Sequence, residues 1–555
     1  MYHLAKQKKK SKDDLEREAL SMRERIYSYW AELLLLNILA VFPLYLHAQK
    51  YIGLTGHKAH YLWLTSLIGF VIFALIVMTF AGLVKLKGST PPLKIFSLPD
   101  WGVIAYWLFV VLSAVFSPLP DYAFGVSNFS HFMTGVPEPG GRYDGIITIT
   151  IYVLLYFAVS RMYKNRERDW AIFAVSASVV SLIGMLQFMG WDVFDLYPYG
   201  LDAPTVVGIH PFNYLYATFR TTLGNVNIVS PYVSIVVCFF LALYMRSDKK
   251  IRFLYLAATA LTFGLMITAG ADGGKLGVLA GITLLFALNI TDKLAMSRMF
   301  YAISLGCLLM IIHPPVYAAR DHFYQTGIEQ TFYWGAGWYR SAYVLGAVLC
   351  FAIGLGLHFL PKWIKAPKRI AALAVTAAIL IIAVAGVQIM GPRFSGDFEN
   401  IVWQAYETMR GNFEDMFGSG RAVIWKVTAT VVFNYPLLGT GPDTFAFAVY
   451  EHQEYLSSIT QTSFDKAHNE FLQILICHGF FGLGAFLLFI GSLSVLAMRK
   501  VWDNPMVMAI VASCGAYLVQ AFFGISTPIV APLFFVMCGL AESFRMGRHK
   551  FKYNE

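Results

Sequence analysis

Long apolar runs are the sequence feature that most limits how this chain can fold. A helix needs about 20 apolar residues to cross a bilayer core, and runs of that length recur along all 555 residues. Charged residues make up only 14% of the chain, well below the roughly 25% of soluble domains. The pattern predicts an all-α polytopic membrane protein and excludes an ordinary soluble enzyme or a disordered chain. About fourteen transmembrane helices (12–14) are predicted, near residues 30–48, 61–84, 100–117, 144–160, 169–189, 227–245, 253–270, 276–291, 299–318, 341–360, 370–390, 470–491, 506–523 and 527–542.

The placement of basic residues predicts how these helices are oriented. With the N-terminus in the cytoplasm, the cytoplasmic segments contain 31 of the 43 lysines and arginines, and the outer segments contain the other 12. Basic residues favour cytoplasmic loops, so both termini are predicted to be cytoplasmic. The net charge of +10 then follows from topology. The lysine-rich start is expected to set the topology or to face membrane lipids, rather than to bind nucleic acid.

The same pattern divides the chain into segments and predicts where chemistry takes place. The cytoplasmic loops are short, and no GxxxxGK[ST] run is present, which argues against an ATP-driven pump. The longest outer loop has helical patterns at residues 398–416 and 422–432, as expected of amphipathic helices at the surface. Chemistry is therefore expected on the outer face. The predicted segments are a basic cytoplasmic tail (1–29), two N-terminal transmembrane helices (30–99), a transmembrane core (100–390), a large extracytoplasmic catalytic loop (391–469), C-terminal transmembrane helices (470–542) and a cytoplasmic tail (543–555).

Two arginines stand at the outer ends of predicted spans. Arg142 lies in PEPGGRYDG beside Tyr143 and Asp144, where its simplest role is to anchor a helix at the membrane edge. Arg220 lies in ATFRTTLGNVN, whose glycine and asparagines could cap a helix or offer backbone N–H groups to an anion. Each arginine could simply stabilise the loop in which it lies. Both are also candidates for binding an anionic substrate.

The large loop contributes three further groups of polar residues. SGRAVIWKVT places Arg421 at a helix N-terminus, which is unfavourable for a cation, and PLLGTGPDTF contains Gly441 and Asp443. A GTG run can be a simple turn, and it is weak evidence for a phosphate cradle. The loop ends in DKAHNEFLQILICHGFFGLG, where His468 and Asn469 stand at the start of a span. A histidine at that position can be only an interfacial polar residue.

Taken together, these residues indicate a class of substrate. Arginine suits phosphate oxygens through its planar, permanently charged fork, and histidine can accept a proton from a hydroxyl near neutral pH. The six cysteines all lie in apolar runs without a CxxC motif, so neither a disulfide nor a zinc site is expected. A glycan on a polyprenyl diphosphate, with an acceptor hydroxyl outside the membrane, fits this set of groups.

The motifs also resemble a known family. His468–Asn469, nine residues, and then Gly479–Phe480–Phe481–Gly482 resemble the His-Asn-x9-Gly-x-x-Gly signature of O-antigen ligases and related polymerases. SGRAVIW followed by PLLGTGPDTF resembles the outer-loop motif of the same family. FRTTLGNVN and the Gly184–Gln187–Gly190 run resemble two earlier landmarks. The resemblance extends over roughly residues 100–545 and is dense only over 418–485.

The resemblance implies a membrane glycosyltransferase of the GT-C type that needs no metal, nucleotide sugar or cofactor. The implied donor is a glycan on undecaprenyl diphosphate in the bacterial cytoplasmic membrane. His468 resembles the family's essential histidine, and Arg220 and Arg421 resemble arginines placed against the diphosphate. Arg142 is similar in position to another arginine motif. Where family members have a Ser-Arg pair, this chain reads TAGADGGKLG, so Lys275 is the candidate substitute.

Several functions remain open at this point. The acceptor could be lipid A–core, as for ligases, another repeat unit, as for polymerases, or a protein hydroxyl, as for oligosaccharyltransferases. In a different class, the chain could be a flippase or transporter for a lipid-linked glycan, but such proteins place charges near the middle of the membrane and often have internal repeats. The predicted catalytic residues are His468, Arg421 and Arg220. The predicted substrate-binding residues are Arg142, Lys275, Asn469, Asp443 and Gly441.

Overall fold

The computed structural model describes residues 12–51, 53–83, 96–124, 142–189, 191–197, 219–270, 272–321, 338–361, 363–396, 400–460 and 464–547. Several predicted features lie outside these residues. They are the lysines at 6–10, the cytoplasmic loop at 85–94, most of the outer loops at 118–143, 190–226 and 319–340, the landmark Gly190, and the last residues of the C-terminal tail.

A helix lies at each position where a transmembrane helix was predicted, which confirms the all-α class. The first helix begins at Lys12, inside the predicted tail, and continues through a π-helical turn, Asn37–Val41, to Leu44. Before the large loop the helices are α1 (Lys12–Leu36), α2 (Leu54–Leu83), α3 (Leu98–Val115), α4 (Ile146–Met162), α5 (Glu167–Phe188), α6 (Val226–Arg246), α7 (Arg252–Ala269), α8 (Asp272–Asn289), α9 (Lys293–Asp321), α10 (Trp338–Phe359) and α11 (Lys368–Met390). The large loop contains α12 (Ile401–Met409), α13 (Arg421–Val431) and α14 (Gln453–Thr460), and after it come α15 (Glu470–Met498), α16 (Pro505–Ala521) and α17 (Ala531–Arg545).

Length and hydropathy separate these helices into two groups. Within the described residues, 10 helices are long and apolar enough to cross a membrane. Two further apolar helices, α4 and α16, are shorter, and α8 and α17 carry charged residues at their ends. The chain is therefore an integral membrane protein, while the count of fourteen spans and the GT-C arrangement stay predictions.

Among the long apolar helices α6 is the most buried, with 89% of its apolar stretch inside the protein. Its main neighbours are α7, α8 and α16. Helix α16 also contacts α15 and α17, and these two helices pack against α3 and α4, respectively. A short antiparallel hairpin, Phe219–Arg220 with Gly224–Asn225, precedes α6. The hydrophobic core therefore runs from α6 to α15, and the polar residues discussed below lie at one end of it.

The large loop packs onto the first turns of α15. One apolar side of α13 (Val423, Ile424, Val427 and Val431) forms a small core with Phe445 and Leu456, closed below by Ile476 and Cys477 of α15. The predicted pattern at 422–432 is confirmed by α13, and the pattern at 398–416 is confirmed only in its middle, by α12. This packing fixes the loop residues relative to the transmembrane core.

Candidate functional site

The turn that joins the large loop to α15 carries His468. Asn469 caps the helix, since its side-chain oxygen accepts hydrogen bonds from the N–H groups of Phe471 (3.0 Å) and Leu472 (3.1 Å). The Ala467 N–H donates to Gln473 (2.8 Å), and its carbonyl accepts from the Trp425 indole (3.2 Å). His468 has a backbone φ of 50°, a left-handed conformation that a non-glycine residue adopts at some cost. The turn is thus held on both sides of His468.

Arg142 reaches this turn from the segment that precedes α4. Its Nε lies 2.6 Å from Asp465 Oδ2 and its Nη2 lies 3.2 Å from Oδ1, which is a bidentate pair. Burial would raise the pKa of the Asp465 carboxyl, but the charge and hydrogen bonds of Arg142, helped by Lys466 and His468, lower it below its usual value. The pair orients the guanidinium beside His468, because planar bidentate contacts fix geometry as well as charge.

Arg421 approaches from the N-terminus of α13. It follows Gly420, whose φ is 83°, and its Nη1 donates to the Gly418 carbonyl (2.6 Å), while its Nε donates to the Phe523 carbonyl (3.1 Å) between α16 and α17. Burial lowers the pKa of its guanidinium, and Asp272 opposes that shift. Arginine remains charged in any case, so a partly buried cation stands at this site.

The electrostatics of His468 follow from these neighbours. Burial lowers the pKa of the imidazole to about 4; the positive charge of Arg421 acts in the same direction, Asp465 opposes it, and Arg142 lowers it further. His468 is therefore neutral at pH 7, with a ring nitrogen able to accept a proton. The structure brings His468, Arg421 and Arg142 together, as their predicted joint role requires.

The other face of the same turn is a buried ion cluster. Lys466, which is only 1% exposed, lies 2.9 Å from Asp443 and 3.4 Å from Asp144. Burial would lower the pKa of the Lys466 ammonium, but the two carboxyl groups raise it well above its usual value. Asp443, predicted to bind substrate, is thus the main partner of a buried lysine.

The GTG run, Gly439–Gly441, forms hydrogen bonds with α15 next to a break in that helix. Gly479 has φ 68° and ψ −173° inside that helix, and a Cβ there would lie 2.2 Å from the Leu437 carbonyl oxygen. The Thr440 and Gly441 N–H groups donate to the carbonyls of Ile476 (3.0 Å) and Cys477 (2.9 Å). The amides that a phosphate cradle would offer are therefore engaged by α15. Gly479 therefore allows both the backbone break and the close approach of Leu437.

Arg220 belongs to a second polar cluster. It is 4% exposed, and its Nη1 donates to the Phe219 carbonyl (2.7 Å) and to the Tyr197 hydroxyl (3.1 Å). The landmark Gln187 accepts a hydrogen bond from the Thr221 N–H (2.7 Å), and a Cβ on Gly184 would lie 2.4 Å from Thr221. Two motifs that are far apart in sequence therefore meet around the hairpin before α6.

Lys275 lies in the first turn of α8 and forms an ion pair with Asp272 at 2.8 Å, with 30% of its side chain exposed. Asp272 also acts on Arg421 electrostatically, which places this end of α8 near the start of α13. No group of three or more His, Cys, Asp or Glu residues suited to a metal is present among the described residues.

Sequence reasoning missed several residues that complete the site. It noted Asp465 and Lys466 only as residues of the turn and gave Asp144 no role, although these three make the ion pairs described above. Glu470 received no attention, yet it is 6% exposed and accepts a hydrogen bond from Tyr517 at 2.9 Å. A carboxylate on the first turn of an apolar span was the available signal.

These contacts define a class of protein: an integral membrane protein with two arginines and a neutral histidine at the junction of a large loop and a transmembrane helix. Residues 339–487 match a family model described as O-antigen ligase. That segment contains Arg421, Asp443 and His468 and ends after Gly479 and Gly482. The match confirms the resemblance to the O-antigen ligase-like family. No curated protein matches the chain.

Proposed function

We propose that this protein is a membrane glycosyltransferase of the ligase or polymerase type. It transfers a glycan from undecaprenyl diphosphate to an acceptor hydroxyl on the outer face of the bacterial cytoplasmic membrane, with both chain termini in the cytoplasm. The observation that carries the proposal is the convergence of Arg142, Arg421 and Asp465 on His468. The family match over residues 339–487 supports the same reaction class.

The arginines bind and stabilise the leaving diphosphate. The acceptor oxygen forms a bond to the anomeric carbon as the bond from that carbon to the phosphate oxygen breaks, so the diphosphate leaves with added negative charge. Arg421 and Arg142 are fixed by Phe523, Gly418 and Asp465. They therefore need little rearrangement as the charge develops, which is the condition under which such donors contribute most to the rate.

His468 receives the proton of the acceptor hydroxyl. Without a bound donor its pKa is about 4, which makes it a weak base. A bound diphosphate would offset the charges of the two arginines and favour the imidazolium, so the pKa of His468 rises when the donor is present. The histidine thus becomes an effective base only in the donor complex, which limits wasteful activation of the acceptor.

The remaining predicted residues have supporting roles in this proposal. Arg220 and Lys275 provide further positive charge for the anionic donor. Asp443 holds Lys466 on the buried side of the turn that carries His468. Asn469 and Gly441 keep the start of α15 in place through their hydrogen bonds. The chemistry uses no cofactor, metal or nucleotide sugar, and the acceptor is a glycan, a lipid or a protein hydroxyl.

A transfer assay tests this function. Purified protein in lipid receives undecaprenyl-diphosphate glycan together with lipid A–core, excess donor or a hydroxyl-bearing peptide as acceptor, in the presence of EDTA. We expect release of undecaprenyl diphosphate and a glycosylated product whose size distinguishes ligation from polymerisation. Movement of the donor across vesicles without any release would contradict the proposal and indicate a flippase.

A further inference from the structure

A small cavity lies behind the turn that carries His468. It has a volume of about 30 Å³, which is room for about two water molecules. Lys466 and Glu470, on either side of His468 in sequence, both line it. The rest of its wall comes from α3, α4, α15, α17, the loop before α4, the large loop and the segment between α16 and α17. We call this cavity the rear chamber; its polar lining is Tyr106, Asp144, Tyr152, Asp443, Lys466, Glu470, Gln473, Cys477, His478 and Ser526.

The charges around the rear chamber do not balance. Asp144, Asp443 and Glu470 provide three carboxyl groups, whereas Lys466 is the one cation of the described lining. With all four groups ionised, two negative charges would stay uncompensated in a buried site. Unpaired buried charges of that kind are relieved by protonation.

The contacts indicate which carboxyl group holds the proton. Asp443 and Asp144 both lie within ion-pair distance of Lys466, at 2.9 and 3.4 Å. Among the described residues Glu470 forms no ion pair, and its hydrogen-bond partner is the neutral Tyr517 hydroxyl at 2.9 Å. The carboxyl group that lacks a cation is the one for which the neutral form costs least.

His478 provides an independent sign that the chamber is hydrated. Its side chain is 4% exposed and lines the chamber. Neither ring nitrogen has a hydrogen-bond partner among the described residues. A neutral imidazole has one donor and one acceptor, and leaving both unpaired in a buried position is costly. Water in the chamber would satisfy both.

We propose that the rear chamber is a binding site for water and for one proton, which Glu470 holds, and that it positions His468 through Lys466. Loss of this proton would place a third buried carboxylate beside Lys466 and draw the ammonium away from Asp443. Lys466 is two residues from His468, so the turn would shift with it. Several titratable groups face Glu470 from the elements packed around it. They are Tyr517 of α16, Asp144 in the loop before α4, Tyr152 of α4, Tyr106 of α3, Asp443 of the large loop, Lys466, and Cys477 and His478 of α15 itself.

Infrared spectroscopy of the full-length protein in lipid tests this without substrate. We expect the C=O stretch of a protonated carboxylic acid at neutral pH, lost as the pH rises. The band should be absent in Glu470→Gln, which keeps a partner for Tyr517. The control is Glu542→Gln, since Glu542 is a buried carboxylate already paired with Arg545 at 2.8 Å, and the band should persist there. A band that survives in Glu470→Gln, or is missing from the wild type, overturns the proposal.

Two further readouts separate positioning from packing. His478→Phe should shift the frequency of the band, because the ring would displace chamber water; an unchanged frequency overturns the hydrated site. The pH profile of glycan transfer rests on the proposed function, whereas the spectra do not. Wild type should lose activity at alkaline pH and Glu470→Gln should not; the same alkaline loss in both would refute the link from Glu470 to His468.

Discussion

The two faces of the segment Asp465–Glu470 differ in their exposure and in the charged groups that they contact. The front face, with Asp465 and His468, is partly exposed and lies beside Arg142 and Arg421. The rear face, with Lys466 and Glu470, is buried against carboxyl groups and phenols. Both faces are carried by one short turn. Under the proposed function, the polar residues of this one motif therefore divide into those that act on the substrate and those that hold the turn.

The rear face should respond most strongly to substitution. Lys466→Met leaves Asp144 and Asp443 as uncompensated buried charges, and we expect a loss of about 3–5 kcal/mol in stability. Thermal unfolding in lipid should show a large fall in Tm and a low yield. The matched control is Lys426→Met, since Lys426 is 45% exposed and pairs with Asp415; surface pairs contribute about 0–1 kcal/mol. Equal effects of the two substitutions would remove the distinction between the faces.

On the front face the expected effect is on rate rather than on folding. Arg421→Ala should lower kcat by about 10²–10³, the usual loss for one donor to developing charge. Arg421→Lys should recover only part of it, because lysine lacks the planar fork. Arg410→Ala, an exposed arginine of the same loop, is the control and should leave kcat unchanged. A wild-type rate in Arg421→Ala would remove Arg421 from the reaction.

A backbone substitution tests how the two faces are joined. Gly479→Ala forces a side chain into a backbone conformation (φ 68°, ψ −173°) that is essentially restricted to glycine, at a cost of about 1–3 kcal/mol, and against the Leu437 carbonyl. We expect lower stability and slower transfer together, since the break in α15 supports the turn. Gly484→Ala on the same helix meets no atom within 4 Å and should be neutral. If both glycines tolerate alanine, the break does not position the turn.

The smallest predicted effect is a difference between two pH profiles. In the proposed mechanism neutral His468 is the active form, so we expect activity to fall as the pH drops through its pKa. For kcat/KM, which reports the free enzyme, the fall should lie near pH 4. For kcat the bound diphosphate should move it upward by about 1–3 pH units. If kcat/KM and kcat fell at the same acidic pH, the donor would not change the basicity of His468.

Much of the fold could be predicted from the sequence, because apolar runs of bilayer length leave few alternatives to helices. The helix starting at Arg421 was also predictable from its pattern. The break at Gly479 was not, because the residues around it continue an apolar run, and only the contact with Leu437 reveals the need for glycine.

The candidate site was predictable only in part, and from the chemistry of its side chains rather than from hydropathy. His468, Arg142 and Arg421 could be chosen by their chemistry, and the structure brings them together. The pairing of Lys466 with Asp144 joins residues more than 300 positions apart, and one sequence carries no sign of such contacts. The roles of Arg220 and Lys275 toward substrate stay predictions, since their described partners are Tyr197, Phe219 and Asp272.

The most direct test of the central claim compares donor binding with donor turnover in His468→Ala. We expect this variant to keep the Tm of the wild type and to bind undecaprenyl-diphosphate glycan, because Arg142 and Arg421 remain. Single-turnover transfer to the acceptor should fall by about 10²–10⁴, the usual contribution of a positioned general base. Transfer at the wild-type rate by this folded, donor-binding variant would contradict the assignment of His468 and, with it, the account of the site.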